Sequence, residues 1–246
     1  MTLNNAAPVA VITGSAQRIG KALAIALHSQ GYNLILHYFK TSAQNLAEQL
    51  NAVRPNSAGL VQADLNHPDA AQRIADYTLN TFNKINLLIN NASSFYKTPI
   101  GQATPNDWDD LFNSNAKAPF FLSQALAPSL IKNQGRIINI ADIYAFTPKR
   151  EHTLYCMAKA ANAMLTQSLA LELAPHVLVN GIAPGAALWP EGVEVMDETE
   201  KLKSIPLGKI GGSQAIVEAV LFLINSSYTT GQIIKVDGGK SIAGIA

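Results

Sequence analysis

The sequence predicts an α/β fold in which a doubly wound parallel sheet is flanked by helices on both faces. Three observations carry that prediction. Short β-branched runs alternate with longer amphipathic stretches; the runs are continuously apolar; and the first leads through a glycine-bracketed turn into a helical pattern. Continuous apolar runs belong to strands buried on both faces, and their alternation with helices of about ten or more residues is the signature of βαβ units.

The elements follow in order. The strand candidates are Pro8–Thr13, Asn33–Tyr38, Ala58–Ala63, Ile85–Asn90, Arg136–Ala141, His176–Ile182 and Gln232–Val236. No internal repeat, low-complexity tract or linker interrupts them, so residues 1–246 read as a single dinucleotide-binding domain. One irregular stretch, Gly185–Ile205, is rich in Pro, Gly and acids. It reads either as a lid over a pocket or as a plain surface excursion.

Composition excludes several function classes. Charged residues make up only 14% of the 246 and the formal net charge is +1, with no stripe of arginines interleaved with aromatics. Neither nucleic acid nor an anionic membrane is an expected partner. No apolar segment approaches the roughly 20 residues of a bilayer span. No basic leader with a long apolar run is present, and the expected location is cytoplasmic. The single cysteine, Cys156, fits a reducing compartment and reads as a packing residue. The five histidines lack metal-ligand spacing, so no metal site is expected. Asn225-Ser226-Ser227 matches a glycosylation triplet and is read as chance.

The stretch VAVITGSAQRIGKALAIAL reads as strand, turn, helix. Gly14 and Gly20 bracket the turn, leaving backbone N–H groups at a helix N-terminus to hold a pyrophosphate. An ordinary tight βα turn is the alternative. An NAD site would end the second strand with an acid that accepts from the ribose hydroxyls. Here the strand ends His37-Tyr38-Phe39-Lys40-Thr41-Ser42, with no acid. Lys40, the Thr41 and Ser42 hydroxyls and Arg18 suit a 2′-phosphate, which selects NADPH. Equally, Lys40 reads as a solvated lysine and Thr41 or Ser42 as a helix cap. Asp64, after the third strand, reads as an acceptor for adenine or as a loop acid. Asn90-Asn91-Ala92-Ser93 follows the fourth strand, where ligands bind in such sheets.

The chemistry centres on IADIYAFTPKREHTLYCMAK. Tyr155 and Lys159 are four residues apart and share one helix face. A nearby ammonium is expected to lower the phenol's pKa, and lysine can also hold a ribose. Asn115 is the polar intruder on a stripe of Leu111, Phe112, Ala118, Leu122 and Leu126. Pro119, four residues on, has no N–H for the Asn115 carbonyl, which is expected to hold a water that links Lys159 to solvent. A buried Asn satisfied by neighbouring backbone is the alternative.

Thr13-Gly14-x-x-x-Arg18-x-Gly20, Asn90-Asn91-Ala92, Asn115, Tyr155-x-x-x-Lys159 and Pro184-Gly185 together resemble the short-chain dehydrogenase/reductase family, across essentially the whole chain. Within it the likeness is to the pteridine reductases and dihydromonapterin reductases. It rests on Arg18 where most relatives carry glycine, HYFKTS, NNASSFY, Asp142 in a position usually held by serine, and the ending IKVDGGKSI. The resemblance implies a Rossmann-type seven-stranded sheet, a homotetramer, and Asp142, Tyr155, Lys159 and Asn115 as catalytic residues. It implies NADPH held by Gly14, Arg18 and Ile19 in the turn, and by Tyr38, Lys40 and Thr41 after the second strand. Ala63, Asp64, Leu65, Asn91, Ala92 and Ser93 line the next two strand ends, and Tyr155, Lys159, Pro184 and Gly185 complete the nucleotide contacts. Arg18, Ser93, Phe95, Asp142 and Tyr155 are expected to touch a pterin, with Phe95 sandwiching its ring against the nicotinamide. Two departures touch the substrate's side-chain pocket: Lys97–Trp108 is shorter than the protozoan insertion, and Ala187 stands where those enzymes carry serine.

An acid in place of serine favours imine over carbonyl chemistry. Reducing a ketone builds negative charge on oxygen, which an ionised carboxylate repels. Reducing a pterin C=N builds basicity on nitrogen, and a carboxyl group of raised pKa can meet it with a proton. The alternative places Asp142 as a loop cap away from the reaction centre. The expected activity is NADPH-dependent reduction of dihydropterins to tetrahydropterins, with oxidised pterins or dihydrofolate as further substrates. A carbonyl reductase for a ketoacyl thioester or sugar, and a non-catalytic NADPH sensor, are the rival readings.

Overall fold

The computed structural model describes residues 7–185 and 202–243. Seven parallel strands form one sheet in the order β3-β2-β1-β4-β5-β6-β7. They are β1 (Val9–Ile12), β2 (Asn33–Tyr38), β3 (Ala58–Gln62), β4 (Leu87–Asn90), β5 (Arg136–Ile140), β6 (Leu178–Pro184) and β7 (Ile233–Val236). Six lie within their expected runs, and β6 is shifted by two residues, from the expected 176–182 to 178–184. The helices are α1 (Arg18–Ser29), α2 (Gln44–Val53), α3 (Ala70–Phe82), α4 (Pro105–Phe112), α5 (Ala118–Lys132), α6 (Thr153–Leu173) and α7 (Gly212–Asn225).

Alternate residues of each strand feed opposite cores, as strand pleating requires. Ala10 and Ile12 of β1 join Leu34 and Leu36 of β2 beneath α1, α2 and α7. Val9 and Val11 face the other way, with Ile35, Leu88 and Ile137, against α3, α5 and α6. The central strands are fully enclosed, and each buried Leu or Ile contributes about 1.5–3 kcal/mol.

Strand order reverses between β1 and β4, whose C-terminal ends open the crevice where doubly wound sheets bind ligands. There Thr13 N–H donates to the Ile89 carbonyl at 3.0 Å, carrying the pairing one residue past the strand.

The expected helix through Asn115 is not continuous. Between α4 and α5, residues Asn113–Lys117 form a π-turn, closed by an Ala118 N–H bond to the Asn113 carbonyl. Pro119, lacking an N–H, breaks the i→i+4 ladder there, and the wider turn absorbs the gap. Most of the expected stripe holds: Leu111, Asn115, Ala118, Leu122 and Leu126 are buried, whereas Phe112 is only half-buried and stacks on Trp108. No helix among the described residues is long and apolar enough to cross a membrane. Most of the proposed lid, residues 186–201 with Ala187, lies outside the described residues.

Candidate active site

The turn after β1 is built for close approach. Gly14 has φ +63°, and a Cβ placed on Gly20 would fall 2.1 Å from the Gly14 carbonyl oxygen and 2.8 Å from Asn91 Nδ2. Only glycine lets α1 begin this close to the β1 and β4 ends. Asn91 Nδ2 donates to the carbonyls of Thr13 (2.9 Å) and Gly14 (3.1 Å). Thr13 Oγ1 accepts from the N–H of Asn91 (2.9 Å) and of Ala92 (3.0 Å). Arg18, exposed at the start of α1, has φ +50°. That left-handed backbone suits glycine and costs a side-chain-bearing residue about 1–2 kcal/mol.

Sequence reasoning missed His37. Its ring is buried, Nδ1 accepting from Gly14 N–H at 3.2 Å and Nε2 facing the Ala63 carbonyl at 3.0 Å. The first contact makes Nδ1 an acceptor, so the proton sits on Nε2, which donates to Ala63. Burial drives its pKa down to about 4, against the smaller opposing pulls of the Ala63 carbonyl and Asp64. Ser15 adds N–H and Oγ bonds to the His37 carbonyl, at 2.9 and 3.0 Å. His37 thus straps the turn to the ends of β2 and β3. The available signal was one imidazole in an apolar run.

Past β2, Thr41 Oγ1 accepts from Gln17 Nε2 at 3.1 Å and Ser42 Oγ from Gln44 N–H at 3.1 Å. Lys40 is exposed, its ammonium 5.7 Å from the Phe39 ring centre. Asp64 Oδ1 accepts from Asn66 N–H at 3.0 Å, as a loop acid does. Ile19 and Tyr38 pack on one core and Leu65 on the other. At the far side, Gly185 N–H donates to the Val236 carbonyl at 3.0 Å, continuing from Pro184 at the end of β6. This open, glycine-lined crevice fits a dinucleotide.

The reactive side chains meet at the end of β5. Tyr155 Oη donates to Asp142 Oδ2 at 2.7 Å, while Asp142 Oδ1 accepts from Tyr144 N–H at 2.9 Å. Asp142 caps the 3₁₀ turn Ile143–Ala145, as the alternative reading expects, but it also faces the phenol and does not stand away from it. Lys159, fully buried, donates from Nζ to the Ile140 carbonyl at 2.9 Å and lies 5.8 Å from the Tyr155 ring centre. Burial lowers the Lys159 ammonium to about 8, against the attraction of Asp142. Burial raises the Asp142 carboxyl despite the Tyr144 amide, the Tyr155 hydroxyl, Lys159 and Lys149. The expected depression of Tyr155 is not found. Burial, then Asp142, push the phenol well above 10, outweighing a hydrogen bond from Ser93. The phenol is held as a proton donor.

Asn115 is buried and its amide is satisfied by neighbouring backbone, as the alternative reading expects. Its carbonyl accepts from Asn162 Nδ2 at 2.9 Å, so a side-chain amide takes up the acceptor that Pro119 leaves open. Its own amide donates to the carbonyls of Leu111 (2.9 Å) and Ser94 (3.0 Å), and its Oδ1 accepts from Ser93 Oγ at 2.7 Å. Phe95, 49% exposed, stacks on His152 at 4.8 Å between centroids and meets Tyr155 edge-on at 4.7 Å. Cys156, half-buried, accepts from Lys149 N–H at 3.4 Å. Among the described residues, no group of three or more His, Cys, Asp or Glu is placed to hold a metal ion.

A switch-point crevice with a glycine turn and a phenol–lysine pair defines a nicotinamide-dependent oxidoreductase. A family model described as enoyl-(acyl carrier protein) reductase matches residues 14–241. "Pteridine reductase 1" of Leishmania tarentolae is 36% identical over 286 aligned positions, covering 98% of this chain and 99% of that protein. The uncharacterised oxidoreductase YohF of Escherichia coli (strain K12) is 35% identical, covering 96% and 97%. The 3-oxoacyl-[acyl-carrier-protein] reductase FabG of Buchnera aphidicola is 31% identical, covering 94% and 96%. The chain belongs to the short-chain dehydrogenase/reductase family.

Proposed function

We propose that this enzyme is an NADPH-dependent pteridine reductase that converts dihydropterins to tetrahydropterins, with oxidised pterins or dihydrofolate as further substrates. One observation carries the reading: a half-buried carboxyl of raised pKa, Asp142, hydrogen-bonded to the Tyr155 phenol. An ionised carboxylate repels the oxyanion that a ketone builds, whereas a carboxyl group can meet the basicity that develops on a ring nitrogen with a proton. The resemblance to the Leishmania pteridine reductase supports the same choice.

NADPH, when bound, supplies the hydride. Gly14, Arg18 and Ile19 hold its phosphates, Tyr38, Lys40 and Thr41 its 2′-phosphoribose, and Ala63, Asp64 and Leu65 its adenine. Asn91, Ala92, Ser93, Pro184 and Gly185 line the nicotinamide end. The absence of an acid after β2 and the cations Lys40 and Arg18 support NADPH over NADH. Tyr155 donates the proton of one reduction, and Asp142 delivers that of the other through a water. Lys159 anchors the ribose and balances charge beside the pair. Phe95, exposed and edge-on to Tyr155, offers a flat ring a stacking face, with Arg18 and Ser93 as its polar contacts.

A carbonyl reductase is the second reading, favoured by the ketoacyl reductase relatives. Asp142→Ser separates the two. It is expected to lower kcat/KM for dihydrobiopterin or dihydromonapterin by about 100-fold or more and to spare or raise turnover of ketones. NADPH oxidation with both substrate classes is the measurement, and turnover of ketones alone rejects the pterin assignment.

The reading extends to a homotetramer. Trp108, Phe120 and Phe121 are exposed on α4 and α5. Trp108 and Phe120, with Phe112, Ala161 and Leu165, border a depression of about 510 Å³. A face of this kind, with exposed aromatics beside Asp109, Asn113 and Lys117, is suited to a second copy of the chain.

A further inference from the structure

A chain of buried side-chain hydrogen bonds runs from the sheet to the substrate wall. Asn90 Nδ2 donates to Asn139 Oδ1 at 2.8 Å, across a register pair of β4 and β5. Asn139 Nδ2 donates to Thr166 Oγ1 at 2.9 Å, and Thr166 Oγ1 to the Asn162 carbonyl at 3.0 Å. Asn162 then reaches from α6 into the π-turn, where its amide meets the Asn115 carbonyl. Beyond that peptide, the Asn115 side chain grips Ser93 and Ser94. Asn162 is 1% exposed, and its Oδ1 has no protein partner. A buried polar side chain with one half unsatisfied is retained against a cost, which points to the bond its other half makes.

The helix face explains the placement. Tyr155, Lys159 and Asn162 stand at i, i+4 and i+7, so one stripe of α6 carries the phenol, the ammonium and this amide. A carbonyl that faces proline is left to water or to a side chain. Water exchanges and permits the π-turn to shift; an amide anchored on α6 does not. We propose that Asn162 is a positioning residue. It locks the π-turn to the catalytic helix and, through Asn115, sets the Ser93–Ser94 segment that carries Phe95. The claim that this segment faces substrate rests on the pteridine reductase reading; the claim that Asn162 holds it does not.

The test uses the full-length Asn162→Leu and Asn162→Ala variants, Ala covering the case in which the bulkier side chain does not fold. Hydrogen exchange of the peptide spanning 91–96 is read with and without NADPH, beside NADPH fluorescence titration and kcat and KM for dihydrobiopterin. The expected result is exchange about tenfold faster in 91–96. NADPH affinity should fall by less than kcat/KM for the pterin, which should drop about tenfold, because only Asn91–Ser93 of this segment line the nicotinamide end. Asn162→Gln, which keeps a donor, should recover part of both. Variants that melt lower but keep wild-type exchange in 91–96 and wild-type kinetics overturn the proposal. Should wild-type enzyme reduce no pterin, the function fails while the exchange comparison still decides the role of Asn162.

Discussion

Arg18 occupies a backbone conformation that glycine adopts without strain, and it keeps a guanidinium beside the nucleotide turn. Strain retained at a crevice marks a side chain held for its function. Arg18→Gly relieves about 1–2 kcal/mol of left-handed strain, offset in part by the freer unfolded chain. The expected outcome is an unchanged or slightly raised Tm with NADPH bound about tenfold more weakly, measured by melting and titration. A lowered Tm with intact affinity would refute this role. Tyr155 and Lys159 were legible in the sequence because their spacing fixes one helix face. The pairing of Asp142 with the phenol was readable only as one of two options, and the structure combines it with the turn cap because a carboxylate has two oxygens.

At the scale of elements, the seven strands were readable because continuous apolar runs have one common use in an α/β chain. The π-turn was not. Pro119 announces a broken ladder, yet which donor repairs it depends on Asn162, 43 positions beyond Pro119 in sequence and adjacent only after folding. His37 escaped for the same reason, since its partners sit on the β1 turn and at the end of β3. Its folded pKa of about 4 lies below the ordinary 6.5. Between those values the unfolded chain binds more protons, so stability conferred by neutral His37 is intact above pH 6.5 and lost as pH falls toward 4. The full difference is worth at most about 3 kcal/mol. Melting temperature should therefore drop between pH 7 and 5, with NADPH affinity falling in parallel. His37→Asn should flatten that dependence; an equally steep loss in the variant sinks the account.

Across the whole molecule, the sheet brings residues from two distant stretches of chain to one crevice. The turn after β1 supplies the glycine cradle proposed for the nucleotide, and the β5–α6 segment supplies the acid, phenol and ammonium. The outer face of α4 and α5 is the feature that a lone chain leaves unexplained. Replacing Phe120 by Glu is expected to convert a tetramer to smaller species, as read by light scattering during size exclusion. A monomeric wild type contradicts the tetramer directly.

Because the Tyr144 amide claims one oxygen of Asp142, a neutral acid carries its hydrogen on the other, in the narrow gap toward Tyr155. That gap has room for one hydrogen, while a neutral acid and the phenol have two between them. When the acid is ionised, the phenol is spent as a donor to it; when the acid is protonated and fills the gap, the phenolic O–H is released to point outward. The pair works as a seesaw, arming one end only as the other is disarmed.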